Sequence, residues 1–215
     1  MYGQTNAIDL TESQGGNYIY KPGVYEGKIK SIEAKDTKTG KPALVFNFEG
    51  REVVVTGDGT TEVVSGGSSG EFSHYEMPQT DPTKAQNQIN RVGVIMLRYA
   101  PGDVVKAMAG VSDWDSYRRF VVNTCSPQLA NTTIVFKLVP NVWDPENPGI
   151  QFPKYKGAMV KKADVKPGFK LSDNELADAK TLEDLRAKQR QVSSAAANSN
   201  PSNLPGNSDD NPLFD

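Results

Sequence analysis

The alternating stretch Ala43-Leu44-Val45-Phe46-Asn47-Phe48 is the clearest structural signal in the sequence. A leucine and two phenylalanines recur in it every second residue, the spacing that places side chains on one face of a β-strand. Strand-like runs precede it at residues 24–34 and follow it at 51–56, where Glu49-Gly50 makes a short connection. We therefore predict a three-stranded meander, followed by a loop over residues 57–81.

The remaining signals predict a helical region and two further strands. Apolar residues recur at helical spacing from Pro82 to Tyr99, Pro101-Gly102 ends that helix, and Asp113 caps another. Alternation returns at residues 132–139, and a last strand is predicted at 150–160. Five strands with the main helix between the third and fourth is the order of the OB-fold, a small β-barrel. Another small β-rich α+β fold stays open as the alternative.

Composition divides the chain into four parts. The apolar and strand-like segments are concentrated in the second part, a capping box at Ser172–Glu175 opens the third, and Ser, Asn, Pro and Gly dominate the last. The predicted parts are a flexible leader (1–17), an OB-fold domain (18–166), a C-terminal helical segment (167–191) and a disordered acidic tail (192–215).

The near-neutral net charge conceals an uneven distribution. The chain holds 24 Lys and Arg against 26 Asp and Glu, a formal charge of −2. Residues 1–170 hold 20 basic and 18 acidic side chains, whereas residues 171–215 hold 4 and 8. The most basic stretch, residues 151–170, has six lysines and one aspartate. This asymmetry is typical of a basic body joined to an acidic tail.

Several function classes lack the residues that they need. One cysteine, Cys125, and one histidine, His74, leave no thiolate cluster for zinc and little for histidine-dependent catalysis. Residues 66–70 match the Gly-x-Ser-x-Gly pattern of hydrolases, but no helix follows them, which favours a flexible loop. Asp113 and Asp115 occupy alternate helical positions and face apart. We expect a protein that is not an enzyme and needs neither cofactor nor metal.

Membrane association and secretion are not indicated. No uninterrupted apolar run approaches the roughly 18 residues that span a bilayer. Residues 1–14 do not show a basic segment followed by an apolar one, as a secretory signal would. We expect a soluble, cytoplasmic protein.

Lysines and aromatic residues recur together on the predicted strands and loops. Cations bind phosphates, and bases stack on aromatic rings with roughly 1–3 kcal/mol per base whatever the sequence. Lys38 and Lys41 could equally solubilise a hairpin, Trp143 could cap a barrel end, and Phe46, Phe48 and Phe136 are predicted as core. The candidate DNA-binding residues are Tyr25, Lys28, Lys30, Lys38, Lys41, Trp143, Phe152, Lys154, Tyr155 and Lys156.

The C-terminal end combines acidic residues with an apolar, aromatic pair. That layout suits a peptide whose phenylalanine enters a pocket of a partner while its carboxylates meet basic side chains. The candidate partner-binding residues are Asp209, Asp210, Leu213, Phe214 and Asp215.

Three segments resemble phage-encoded single-stranded-DNA-binding proteins. They are Lys21–Ile29, the hairpin Thr37–Lys41 and the tail from Asp209 to Phe214. The tail reads Asn-Pro-Leu-Phe where bacterial members tend to have Asp-Ile-Pro-Phe, and Asp215 follows it. The resemblance implies an OB-fold that coats single-stranded DNA in the host cytoplasm during replication, recombination and repair. It also implies that the tail recruits replication or recombination enzymes, and it leaves monomer and homodimer open.

Two other functions stay open at the level of sequence. The chain could be a protein-interaction adaptor of a replication or recombination complex, with the barrel as scaffold and the tail as ligand. More remotely, acidic residues could serve a small nuclease or hydrolase.

Overall fold

The computed structural model describes residues 18–111, 113–143 and 145–198. The predicted leader, residues 1–17, and residues 199–215 of the predicted tail lie outside these ranges. The five candidate partner-binding residues of the tail are therefore outside the described residues.

Two long strands form the central ladder of the sheet. Strand β1 (Gly23–Asp36) pairs antiparallel with β2 (Pro42–Val55). Leu44, Phe46 and Phe48 are fully buried on the inner face of β2. The alternation in the sequence thus predicts both the strand and the face that it buries.

Two more strands lie in the segment predicted as a loop. Strands β3 (Thr61–Val63) and β4 (Ser69–Glu76) both pair antiparallel with β2. The inner side of β4 carries His74 and Glu76, so the strand lacks the apolar alternation that would have revealed it. The loop prediction for residues 57–81 was wrong for this reason.

A row of glycines bends the sheet. Gly27 of β1 lies opposite Gly50 of β2, which lies opposite Gly70 of β4. A Cβ atom at Gly50 would lie 3.0 Å from the Phe136 ring, and one at Gly27 would overlap the carbonyl group of Glu49. Glycines at such close approaches allow a sheet to curve sharply. The predicted connection at Glu49-Gly50 was therefore wrong, because Gly50 marks a bend inside one continuous strand.

A β-bulge in β1 sets the direction of its side chains. Ile29 and Ser31 pair with neighbouring residues of β2, so Lys30 is the extra residue of the bulge. The bulge places both Ile29 and Ile32 in the core, although they are three positions apart and would face opposite sides of a regular strand. Lys30 remains on the outer face of the sheet.

The second half of the sheet attaches to the other edge of β1. Strand β5 (Ile134–Asn141) pairs with β1, and β6 (Gly149–Gln151) and β7 (Met159–Lys161) pair with β5. The predicted strand over residues 150–160 is thus two short strands, interrupted at Pro153, which cannot donate a ladder hydrogen bond. The result is a mainly β architecture, a seven-stranded antiparallel sheet of order β3-β2-β1-β5-β6, with β4 on β2 and β7 on β5.

Three helices between β4 and β5 pack against this sheet. They are α1 (Pro82–Tyr99), α2 (Gly102–Ala107) and α3 (Trp114–Cys125). The carboxylates of Asp81 and Asp113 accept hydrogen bonds of 2.8 Å from the third amide of α1 and α3, as capping residues do. The core includes Tyr25, Ile29, Leu44, Phe46, Phe48, Val92, Ile95, Met96, Val121, Cys125, Ile134, Phe136, Leu138 and Met159.

The last helix, α4 (Asp173–Asn198), begins at the predicted capping box. The Ser172 amide donates to the Glu175 carboxylate at 2.7 Å, and the Glu175 amide donates to the Ser172 hydroxyl at 3.3 Å. The helix continues through residues 192–198, which the tail prediction placed in disorder. Ala195–197 favour a helix strongly, and that preference outweighs the serines before them. No helix in the described ranges is both long and apolar enough to cross a bilayer.

Candidate nucleic-acid interface

Two predicted stacking residues belong to the core. Tyr25 is 0% exposed and Phe152 is 1% exposed. The Tyr25 hydroxyl donates to the Lys21 carbonyl at 2.8 Å, and the Phe152 ring packs against Phe48 and His74. Neither ring offers a face to solvent, so the expectation that they stack on bases is corrected here.

An open groove of about 580 Å³ crosses the outer face of β1, β2 and β4. Its floor is the backbone of the glycine row. We call it the sheet groove, and its charged lining consists of Glu26, Lys28, Lys30, Glu49, Arg51 and Glu71.

Carboxylates neutralise most of the cations in the sheet groove. The Lys30 ammonium lies 2.5 Å from the Glu71 carboxylate and 3.8 Å from that of Glu49. The Arg51 guanidinium lies 3.3 Å from the Glu26 carboxylate. Lys28 has no ion pair within the part of the chain that the structure describes. Of the two predicted phosphate contacts in the groove, Lys28 is therefore the more available.

Glu26 holds one end of the groove together. Its buried carboxylate accepts hydrogen bonds from Lys162 at 2.8 Å, from Thr61 and from Arg51. Burial alone would raise the pKa of Glu26, but these three donors outweigh it, and the pKa is lowered. The carboxylate thus stays charged and ties the segment after β7 to the sheet.

The two hairpin lysines lie apart from the groove. Lys38 and Lys41 are exposed in the turn that joins β1 to β2. The length of β1 between Lys28 and Asp36 is roughly 25 Å, at about 3.3 Å per residue. The structure does not bring the two lysine pairs together.

Tyr155 connects three elements. Its hydroxyl donates to the Glu175 carboxylate at 2.7 Å, and the Lys137 ammonium lies 5.5 Å from its ring centroid. Burial, with help from Glu175, raises the pKa of Tyr155, so the hydroxyl remains a donor. Tyr155 therefore joins β5, the β6–β7 connection and α4. Its ring is still partly accessible, because 40% of the residue surface is exposed.

The other predicted residues near Tyr155 lie in the connections around β6. Trp143, between β5 and β6, is 85% exposed, the highest value among the described large apolar side chains. Lys154 is exposed and has no ion pair in the described ranges. The side chain of Lys156 lies outside the described part of the structure. Because Trp143 is so exposed, it does not cap a barrel end within the described residues.

Sequence reasoning missed an aromatic pair before β1. Tyr18 is 70% exposed and Tyr20 is 57% exposed, whereas Ile19 between them is buried. The Ile19 amide donates to the Glu71 carbonyl at 2.8 Å, which fixes this segment along β4. The Lys21 ammonium lies 5.5 Å from the centroid of the Tyr20 ring. The run Tyr-Ile-Tyr-Lys was itself a period-two signal with two aromatic residues on its outer side.

Helix α4 contacts both the segment of Tyr20 and the β5–β6 connection in which Trp143 lies. The Arg186 guanidinium donates to the Tyr20 carbonyl at 2.8 Å, and the Gln189 amide donates to the Glu146 carbonyl at 2.8 Å. Arg186 and Gln189 are one turn apart on one side of the helix. The segment with Tyr20 and the connection with Trp143 therefore flank the same turn of α4. We call Tyr18, Tyr20, Lys21 and Trp143 the aromatic track.

A buried ionic cluster lies on the inner side of β4. Glu76, 2% exposed, accepts hydrogen bonds from Arg91, from His74 at 2.8 Å and from Gln88 at 3.1 Å. Burial opposes the charge of Glu76, but the donors Arg91 and His74 outweigh burial and lower its pKa to about 2. The cluster joins β4 to α1 by charge-assisted hydrogen bonds.

The cysteine of the chain lies in the core. Cys125 is fully buried, and burial raises its pKa to about 12, so it is a protonated thiol. Within the ranges given above, no three His, Cys, Asp or Glu side chains are placed to hold a metal ion.

Comparison of the chain with protein-family models, curated proteins and solved structures found no significant match.

Proposed function

We propose that this chain is a non-catalytic protein that binds single-stranded DNA without strong sequence preference during phage replication, recombination and repair. The aromatic track is the observation that carries the proposal. Three aromatic side chains, 57–85% exposed, lie on segments joined by contacts to one helix turn. Exposed aromatic rings beside cations can bind unpaired bases. Every base has a π-face that stacks on such a ring, so the binding does not depend on the DNA sequence.

The strand order supports an OB-type barrel as the scaffold. Strand β1 pairs with both β2 and β5. If the three-residue β3 is counted as an addition to the edge of β2, then β1, β2 and β4 are the first three strands of the barrel, and the helices lie between the third strand and the fourth, β5, as in an OB-fold. The Phe152 ring, beyond β6, lies 5.4 Å from Phe48 of β2 and 5.9 Å from His74 of β4. These contacts draw the two ends of the sheet towards each other, and the glycine row supplies the bend.

The phosphates would bind to lysines that form no ion pair with a carboxylate in the described ranges. Lys21 lies in the track, Lys28 in the sheet groove and Lys154 beside Tyr155. In this proposal the tail, residues 209–215, recruits replication or recombination enzymes and takes no part in stacking. The adaptor function makes the opposite demand, since it needs the tail and not the track.

Fluorescence anisotropy of labelled oligo-dT tests the proposal, with a duplex of equal length as the competitor. We expect tight binding at low salt, preference for the single strand, and steep weakening as salt rises because counterions are released. Intrinsic fluorescence of a Trp114→Phe variant reports on Trp143 alone and should be quenched by stacking. Equal affinity for duplex, or no binding at low salt, contradicts the proposal.

A second arm separates the DNA binder from the adaptor. Deletion of residues 209–215 should leave oligo-dT affinity unchanged or higher while it removes capture of partner proteins. Loss of DNA binding on this deletion would contradict the roles assigned to the track and the tail.

A further inference from the structure

Helix α4 segregates its charges along its length. Residues 173–184 contain five acidic side chains and one basic, Lys180. Residues 185–198 contain three basic side chains and no acidic one. The positive half is the one that contacts the segments of the aromatic track.

The positive half also extends beyond its last anchor. Arg186 and Gln189 hold the helix to the Tyr20 and Glu146 carbonyls. Residues 190–194 are all exposed, and the helix continues to residue 198, about 14 Å beyond Gln189 at 1.5 Å per residue.

Packing does not account for this projecting half. Leu182 is the fully buried apolar side chain of α4, and it lies in the acidic half. Val192 in the projecting half is 70% exposed. Residues 190–194 are exposed on every side of the helix, and such a segment is either supported by side-chain pairs or used for another contact.

One cation of this half lies on the side of the helix that contacts Tyr20 and is available for a ligand. Arg190 lies one turn beyond Arg186 on the same side of the helix, so it is directed along the flank where Arg186 meets Tyr20. Its side chain donates to the Arg186 carbonyl at 3.4 Å, within its own helix, and forms no ion pair in the part of the chain that the structure describes. Lys188 is also exposed, but it is two residues before Arg190 and faces the other side of the helix.

We propose that the second half of α4 is a wall of the DNA-binding site, where Arg190 binds a phosphate of a strand whose bases stack on the aromatic track. This inference rests on the proposed function and extends it to a phosphate-binding element that the barrel does not contain. A single strand carries its bases on one side and its phosphates on the other. The track would stack on the bases, and α4 would bind the phosphates.

The salt dependence of oligo-dT binding tests this wall. The variant Arg190→Gln keeps a good helix former at this position, and circular dichroism should confirm equal helix content. The lost phosphate contact should reduce the slope of log affinity against log salt by about 0.7. Lys188→Gln, on the other side of the same half of the helix, is the matched control and should keep the wild-type slope.

A charge-preserving variant and the track variants make the outcomes distinct. Arg190→Lys should bind with the wild-type slope. An unchanged slope for Arg190→Gln, with Trp143 still quenched by oligo-dT, overturns the wall and leaves the proposed function standing. Absence of binding by the wild-type chain overturns the proposed function and the wall with it.

Discussion

The sheet groove and the aromatic track both carry cations on the surface, but their cations are in different states. In the groove, Lys30 and Arg51 lie against carboxylates at 2.5 Å and 3.3 Å. In the track, Lys21 lies over the Tyr20 ring and meets no carboxylate in the described ranges. The groove's three cations share it with three carboxylates, so its charged lining is neutral overall even though Lys28 forms no ion pair in those ranges. The track carries one cation and no carboxylate. Counting lysines along a strand thus says less about nucleic-acid binding than knowing which carboxylate lies opposite each one.

The first prediction compares the two faces of β4. Glu76→Gln should lower the free energy of unfolding by about 3–5 kcal/mol, because Arg91 would keep a buried charge without its partner. Glu71→Gln, on the outer face, should change it by less than about 1 kcal/mol, since both partners of that ion pair are substantially exposed. Urea denaturation followed by circular dichroism measures both. Equal effects would mean that burial does not separate the two ion pairs.

Acid should lower the free energy of unfolding by protonating the carboxylate of Glu76. The folded pKa of Glu76, about 2, lies below the ordinary value of 4.5. Its contribution to stability is therefore fully present above about pH 4.5 and is lost as the pH falls towards 2, with a total of about 3 kcal/mol. Denaturation midpoints at pH 7, 4.5, 3 and 2 should show this loss in wild type, and a smaller loss in Glu76→Gln. Parallel pH curves for the two proteins would refute the assignment.

The track itself should respond strongly to loss of a ring. Trp143→Ala and Tyr20→Ala should each weaken oligo-dT binding by roughly 1–3 kcal/mol, about 5- to 150-fold, because each removes one stacking surface. Tyr75→Ala removes a ring of similar exposure, 49%, from the outer face of β4 and is the matched control. Anisotropy titration at one salt concentration measures all three. If Tyr75→Ala proved as damaging as Trp143→Ala, the site would be the sheet face.

The smallest expected effect comes from freeing a cation of the sheet groove, so that the groove, like the track, carries a cation without a carboxylate partner. Glu49→Gln/Glu71→Gln removes both carboxylates near Lys30 and leaves its ammonium free. If the groove borders the bound strand, affinity should rise, and the slope of log affinity against log salt should steepen by about 0.7 for one added phosphate contact. Lys30→Gln in the same background should restore the wild-type slope. No change in either variant would place the groove outside the path of the DNA.

Local signals in the sequence were sufficient for much of the fold. The alternation at residues 43–48, the caps Asp81 and Asp113 and the capping box at Ser172 all act within one strand or one helix turn. Their physics is complete within a few residues, so the sequence alone predicts them. The sequence did not predict β4, because His74 and Glu76 occupy positions on its inner face where apolar side chains are expected. Glu76 is buried there in an ion pair with Arg91 of α1.

The candidate site depended on contacts between distant residues. Tyr25 and Trp143 are both aromatic residues beside polar neighbours, yet one is fully buried and the other is 85% exposed. The difference arises because Tyr25 points into the core side of the sheet, whereas Trp143 lies on a connection that no described residue covers.

Charge pairing also depends on contacts between residues that are distant in the sequence. The bulge at Lys30 and the register between β2 and β4 decide that its ammonium meets Glu71, 41 residues away. The order and types of the residues along the chain thus determine its strands, helices and caps through short-range interactions. Only the folded sheet decides which rings stay open to a base and which lysines stay open to a phosphate, because burial and pairing depend on neighbours remote in sequence.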